Sequence, residues 1–184
     1  MKNVNRIKHL PYGILVFFLL HLAAVYYYPG GSQENNQSIG YSWLHNYWCD
    51  LMKTQAINLK QNHSSPYAII GLMALCLSMI LFFIQFANKM ARDKFWQKLI
   101  KTTGILSMVF AMLISNRYHN YMIGVTSLFG LVALIGIIKE IYLSSFNGFK
   151  LSGIVVLILL GLNNVLYYTS LIYPYYKKIL FWWH

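Results

Sequence analysis

Mainly apolar residues run along five stretches of this chain, 11–28, 66–88, 99–115, 118–138 and 151–173, separated by polar, basic or glycine-containing segments. A bilayer core of about 30 Å takes roughly 20 mainly apolar residues as helix. Within it the backbone must satisfy its own hydrogen bonds, so continuous runs predict helices, and the two-residue alternation of a membrane β-barrel is missing. The third run is short and carries Lys101 near its start, whose ammonium can reach the interface by snorkelling. The pattern predicts an all-α fold: a polytopic transmembrane bundle of five spans. No repeat of 20–50 residues is evident, so one domain suffices.

One long segment interrupts the spans, 29–65, and it is expected outside. It opens with a turn sequence, Pro29-Gly30-Gly31-Ser32, followed by polar coil. From Tyr41 to Lys53 the texture changes. Trp43, Tyr47 and Leu51 recur four apart with Leu44 and Trp48 beside them, while Ser42, His45, Asn46, Cys49 and Lys53 fall on the other side. That spacing predicts an amphipathic helix lying in the interface as a lid over the bundle.

Composition sharpens the class. The chain is 58% hydrophobic and 10% charged, against about 45–50% and 25% in soluble domains, and its mean hydropathy is +0.48. These values exclude a soluble enzyme, a disordered tail and a basic nucleic-acid-binding domain, because the +11 charge sits between apolar runs. With the N-terminus cytoplasmic, ten Lys and Arg fall inside and five outside, the bias of the positive-inside rule. The first run is expected to be an uncleaved anchor, because Val25-Tyr26-Tyr27-Tyr28-Pro29 is no small-residue cleavage site. Its tyrosines, and Phe181-Trp182-Trp183, fit interfacial belts.

Candidate chemistry gathers on the outer face. Asp50 and Glu34 are the acids expected there. His45 and Cys49 stand four apart, a spacing that on a helix sets a thiol beside an imidazole and so suits a nucleophile. The short connection holding Arg117 and His119 is expected on the same side, as partners for Asp50. Asn46 lies within the same polar stretch. The simpler reading is an ion pair closing the lid. The sharper one is a catalytic site of Asp50, His119, Arg117 and Cys49, in which Arg117 forks onto a phosphate or carboxylate and His119 moves a proton. A zinc set of His45, His63, His119 and Asp50 lacks compact ligand spacing, so no metal and no cofactor are expected.

Deeper in the spans lie His21, Asn163 and Asn164, at a shared depth if both spans run outward. Polar groups in hydrocarbon turn inward and pair, so they read first as helix glue and second as a transport path with His21 as the titrating group. Ser78, Ser107 and Thr126 read likewise, and Gly71, Gly104 and Gly130 permit close helix approach. Cys49 and Cys76 are expected to be free thiols.

Gly40 to Leu51 resembles the segment after the first helix in a bacterial membrane family catalogued as domain of unknown function number 998, with its Asn-Tyr-Ile-Ser-Asp-Leu-Gly pattern. Asn46, Tyr47, Asp50 and Leu51 match; Cys49 replaces Ser and Met52 replaces Gly. Tyr28 to Ser32, Tyr118-His119, and Asn164 with Tyr167-Tyr168-Thr169 are similar to a Bacteroidetes-type subgroup. The resemblance implies a bacterial inner-membrane protein and a sixth helix that 174–184 is too short to complete; it implies no activity. Expected partners are membrane lipids and, as an open option, further copies of the chain, with no nucleic acid. The expected role is structural, sensing or lipid-interacting, with a membrane enzyme acting on an outer-leaflet head group, or a small transporter, as alternatives.

Overall fold

A computed structural model describes residues 10–114 and 119–144, together with 151, 153–156, 158, 159, 161, 162 and 165. The described residues form helices and turns, with no strand beyond two isolated bridges, Gly30 with Ile39 and Gln55 with Gln61. The chain divides into two units, Met1–Ile137 and Ile138–His184. In the second, the described positions from 151 onward are helical, and Gly153 lies against Ile138.

Four helices follow the apolar runs: α1 Leu10–Tyr26, α2 Ser65–Met90, α3 Lys94–Met112 and α4 His119–Tyr142. Pro66 occupies the first turn of α2, where its missing N–H costs nothing. At 26 residues α2 is about 39 Å long. α3 begins five residues before the apolar run does. Asp93 caps it, its carboxylate accepting from the Phe95 N–H at 3.1 Å, so Lys94 and Lys98 ride on the helix instead of preceding it. Capping starts a helix wherever orphan N–H groups find an acceptor; hydropathy alone does not report it. α4 runs past its predicted end at 138, which places Lys139 and Glu140 within the helix, Glu140 buried.

Two of these elements, Ser65–Met90 and Tyr121–Tyr142, are long and apolar enough to cross a membrane. α1 is apolar throughout but has 17 residues. Only 22% and 17% of the most apolar windows of the two longer helices are buried.

Helix contacts follow the small residues. Gly104 of α3 lies where any side chain would run into the ring of Phe83 on α2. The Ser107 hydroxyl of α3 donates to the Thr126 carbonyl of α4 at 2.9 Å and lies 3.0 Å from where a Gly130 Cβ would stand. Small residues exchange side-chain volume for backbone approach, and a buried hydroxyl finds its partner across the seam.

The segment between α1 and α2 does not form the expected amphipathic helix. Residues 42–46 make a turn, and only Trp48–Met52 is helical, as a single 3-10 turn. The cause is local. Asn46 Oδ1 accepts from the Ser42 N–H at 2.9 Å and Asp50 Oδ2 accepts from the Tyr47 N–H at 2.8 Å. Such side chains offer the backbone an alternative to the helical ladder. The predicted stripe is split accordingly: Leu51 is buried, while Trp43 and Tyr47 remain exposed.

What forms is a cap with its own small core. Leu51 and Ala56 pack with Ala24 of α1, Tyr28 two residues beyond that helix, and Ala68 from the start of α2. Gly31, at φ +87°, holds a conformation open to glycine, and its α-carbon sits so close to Ile57 and Asn58 that no side chain fits.

Candidate functional site

Asp50 is the centre of the cap and is wholly buried. Its Oδ1 accepts from Lys53 Nζ at 2.7 Å; its Oδ2 takes the Tyr47 N–H and, at 3.4 Å, the Gln33 side-chain amide. A buried carboxylate is tolerated only when paired and hydrogen-bonded in this way. Among the described residues its charged partner is Lys53, three residues away at the C-terminal end of the 3-10 turn, with more than half of its side chain exposed.

A second polar centre stands beside it. Asn62 Nδ2 lies 2.8–3.2 Å from the carbonyls of Asp50, Leu51 and Lys53, and its Oδ1 accepts from the Ser64 N–H. The Ser64 hydroxyl lies 2.9 Å from the Leu51 carbonyl. Asn62 thus gathers the carbonyls at the end of the 3-10 turn and leads the chain into α2. Nothing in the apolar pattern marks Asn62. The signal was its place two residues before Ser64 at the mouth of a helix, where Asx side chains bond the backbone two residues on.

The remaining expected site residues separate. Asn46 is buried and structural: its Nδ2 donates to the Gly31 carbonyl at 2.9 Å. His45 pairs through Nε2 with Glu34 at 3.0 Å on the exposed side of the cap. The helical register that would set His45 against Cys49 does not form. Cys49 and Cys76 are both free. Burial and the neighbouring Asp50 push the Cys49 thiol upward, away from the thiolate a nucleophile needs. The same two causes push Tyr41 up to about 12. For Lys53, burial pulls the ammonium down, but the hydrogen bond and charge of Asp50 outweigh it and the net shift is upward. Among the described residues no three His, Cys, Asp or Glu side chains come together to hold a metal ion. Arg117, Asn163, Asn164 and the side chain of His119 lie outside the described residues.

His21 is buried in α1. Its Nδ1 lies 3.2 Å from the Phe17 carbonyl, within hydrogen-bonding distance. The ring packs on Gly71 of α2 and under the indole of Trp48, at 5.2 Å between centroids. Trp48 also stacks on Phe17 at 5.7 Å. Phe17 and His21 precede the end of α1 by nine and five residues, about 13 and 7 Å of helix rise. The cap therefore folds down the side of α1, where a lid closing the end of the bundle had been expected. Trp43, Leu44 and Trp48 are 61%, 89% and 46% exposed, an apolar rim on an otherwise polar segment.

Comparison of the chain with family models, with curated proteins and with solved structures gives no match.

Proposed function

We propose that the chain is a multi-pass membrane protein with a non-catalytic, lipid-interacting role, its aromatic cap seated in the outer interface and its N-terminus cytoplasmic. The supporting observation is the contrast within the cap. Its buried acid is fully used in holding the fold, while its large apolar side chains point outward, next to a helix that is itself exposed and apolar. Trp and Tyr at that level suit the boundary between head groups and acyl chains. The five-span arrangement extends this reading: α1, α2, α3, α4 and the run from 151 cross in turn, so that the cap and the α2–α3 link at 91–93 lie on opposite sides. The resemblance to the family of unknown function fits such a protein and adds no activity.

A catalytic role for Asp50 and Cys49 gains little here. One carboxylate oxygen is engaged by Lys53 and the other by the Tyr47 N–H, and the thiol is held in its protonated form by burial and by Asp50.

Sided cysteine labelling tests the arrangement. In a background of Cys49→Ser and Cys76→Ser, Gln37→Cys is expected to react with a membrane-impermeant maleimide in intact cells. Ala91→Cys is expected to react only after permeabilisation. Labelling of both positions in intact cells would overturn the proposal.

A further inference from the structure

Between the cap and α1 lies a cleft of about 260 Å³. Phe18, Leu22 and Val25 form its α1 side, and Tyr41, Trp43 and Trp48 the opposite side. Among the described residues no Lys, Arg, Asp or Glu lines it. The polar atoms of two lining residues are engaged elsewhere: His21 Nδ1 with the Phe17 carbonyl, and the Tyr41 hydroxyl with the Asn46 carbonyl at 3.3 Å.

The position of the cleft limits what enters it. Phe18 and Leu22, 50% and 56% exposed, belong both to the cleft and to the outward apolar row of α1 that includes Leu15 and Leu19. The mouth is thus continuous with the surface that meets hydrocarbon if α1 crosses the bilayer. Val25 lies one residue, and Phe18 eight residues, before the end of α1. That interval corresponds to about 1.5–12 Å of helix rise, the depth of the first part of an acyl chain below its head group. An extended peptide would carry its N–H and C=O groups into a cleft that offers them few partners, which is costly. Small-molecule pockets run from about 300 to 1,000 Å³; this one is smaller.

We propose that the cleft between α1 and Tyr41, Trp43 and Trp48 holds one acyl chain of a bilayer phospholipid, which the cap clasps against the side of the helix. The proposal rests on the membrane reading given above and goes beyond it in naming a discrete site. Trp43 and Trp48 form the clasp, and the Asp50–Lys53 and Asn62 contacts hold the chain segment that carries Trp48.

The test uses the full chain in maltoside micelles with Trp43 and Trp48 as its only tryptophans, Trp96, Trp182 and Trp183 each being replaced by Phe. The probe is phosphatidylcholine brominated in mid-chain. Emission from the two cleft tryptophans is expected to be quenched with saturation at one lipid per chain. Val25→Phe, which fills the cleft, and Leu22→Phe, which narrows its exposed edge, are each expected to weaken that saturating component about tenfold. Quenching that rises linearly and equally in all three proteins would overturn the site while leaving the membrane reading intact. Saturation by a brominated fatty acid but not by the phospholipid would overturn the assignment to a phospholipid. Absence of quenching even in vesicles of the brominated lipid would remove the membrane reading itself.

Discussion

The indole of Trp48 lies over the imidazole of His21, 5.2 Å between ring centroids and 32° between their planes. One residue belongs to the cap and the other to the buried face of α1, so this contact ties the two together. Trp48→Ala removes it along with the stack on Phe17. Aromatic pairs contribute about 0.5–1.5 kcal/mol beyond their area, and the residue is only half-buried, so a loss of about 1–2 kcal/mol is expected. Limited proteolysis within 33–45 should accelerate while far-ultraviolet helicity is retained.

Asp50 and Lys53 are expected to couple with a definite sign. Lys53→Met leaves a buried carboxylate without its counter-charge, a loss of about 3–5 kcal/mol in fully buried pairs and less here because Lys53 reaches solvent. Asp50→Asn in the same chain removes the stranded charge and keeps an oxygen for the Tyr47 N–H. The double variant Asp50→Asn/Lys53→Met should therefore melt at a higher temperature than Lys53→Met alone. Additive losses in thermal unfolding would count against the pairing.

The Cys49 thiol is expected to be a poor nucleophile. Burial and Asp50 both favour its protonated form, so alkylation by iodoacetamide at pH 8 in a Cys76→Ser chain should be about tenfold slower than for an exposed thiol. Opening the cap with Trp48→Ala should restore the rate. A fast reaction in the intact chain would return Cys49 to the candidate nucleophiles.

Alkali should loosen the cap. Cys49, Tyr41 and Lys53 all have folded-state pKa values raised above their ordinary ones of 9.0, 10.0 and 10.5. A group shifted this way contributes stability that is complete below its unfolded pKa and is lost as pH rises through the folded value. For the thiol and the phenol the fold favours the neutral form; for Lys53 it favours the charged ammonium. All three losses fall above about pH 9, so Trp48 emission should be level from pH 7 to 9 and shift beyond it. In Tyr41→Phe the part of the transition between pH 10 and 12 should shrink.

The helices were legible where the chain carries a long, mainly apolar run, as in α1, α2 and α4. The start of α3 was hidden because Asp93 creates it by capping, among lysines that break the hydropathy signal. The cap was misread because period alone cannot show that Asn46 and Asp50 will bond the backbone and unwind the very helix whose stripe they interrupt. Asp50 was correctly singled out as an acid that needs a partner. Among the described residues the partner is Lys53, because a carboxylate and a lysine three residues apart meet at little cost in loop closure; Arg117 and the side chain of His119 lie outside the described residues. Trp48 was expected in an interfacial stripe. That it would reach back to Phe17 and His21 depends on the turns at Gly30–Gly31 and 42–46, which only the folded chain displays.

The depth of Trp48 in a bilayer bears most directly on whether this is a membrane protein with its cap at the lipid boundary. In phospholipid vesicles, with Trp48 as the only tryptophan, quenching by lipids spin-labelled near the head group should be compared with quenching by labels near the chain end and by aqueous iodide. The expected result is strongest quenching from the shallow label, placing the indole about 5–10 Å into the boundary between head groups and acyl chains, with iodide weak. Efficient iodide quenching together with silence from both lipid labels would contradict it.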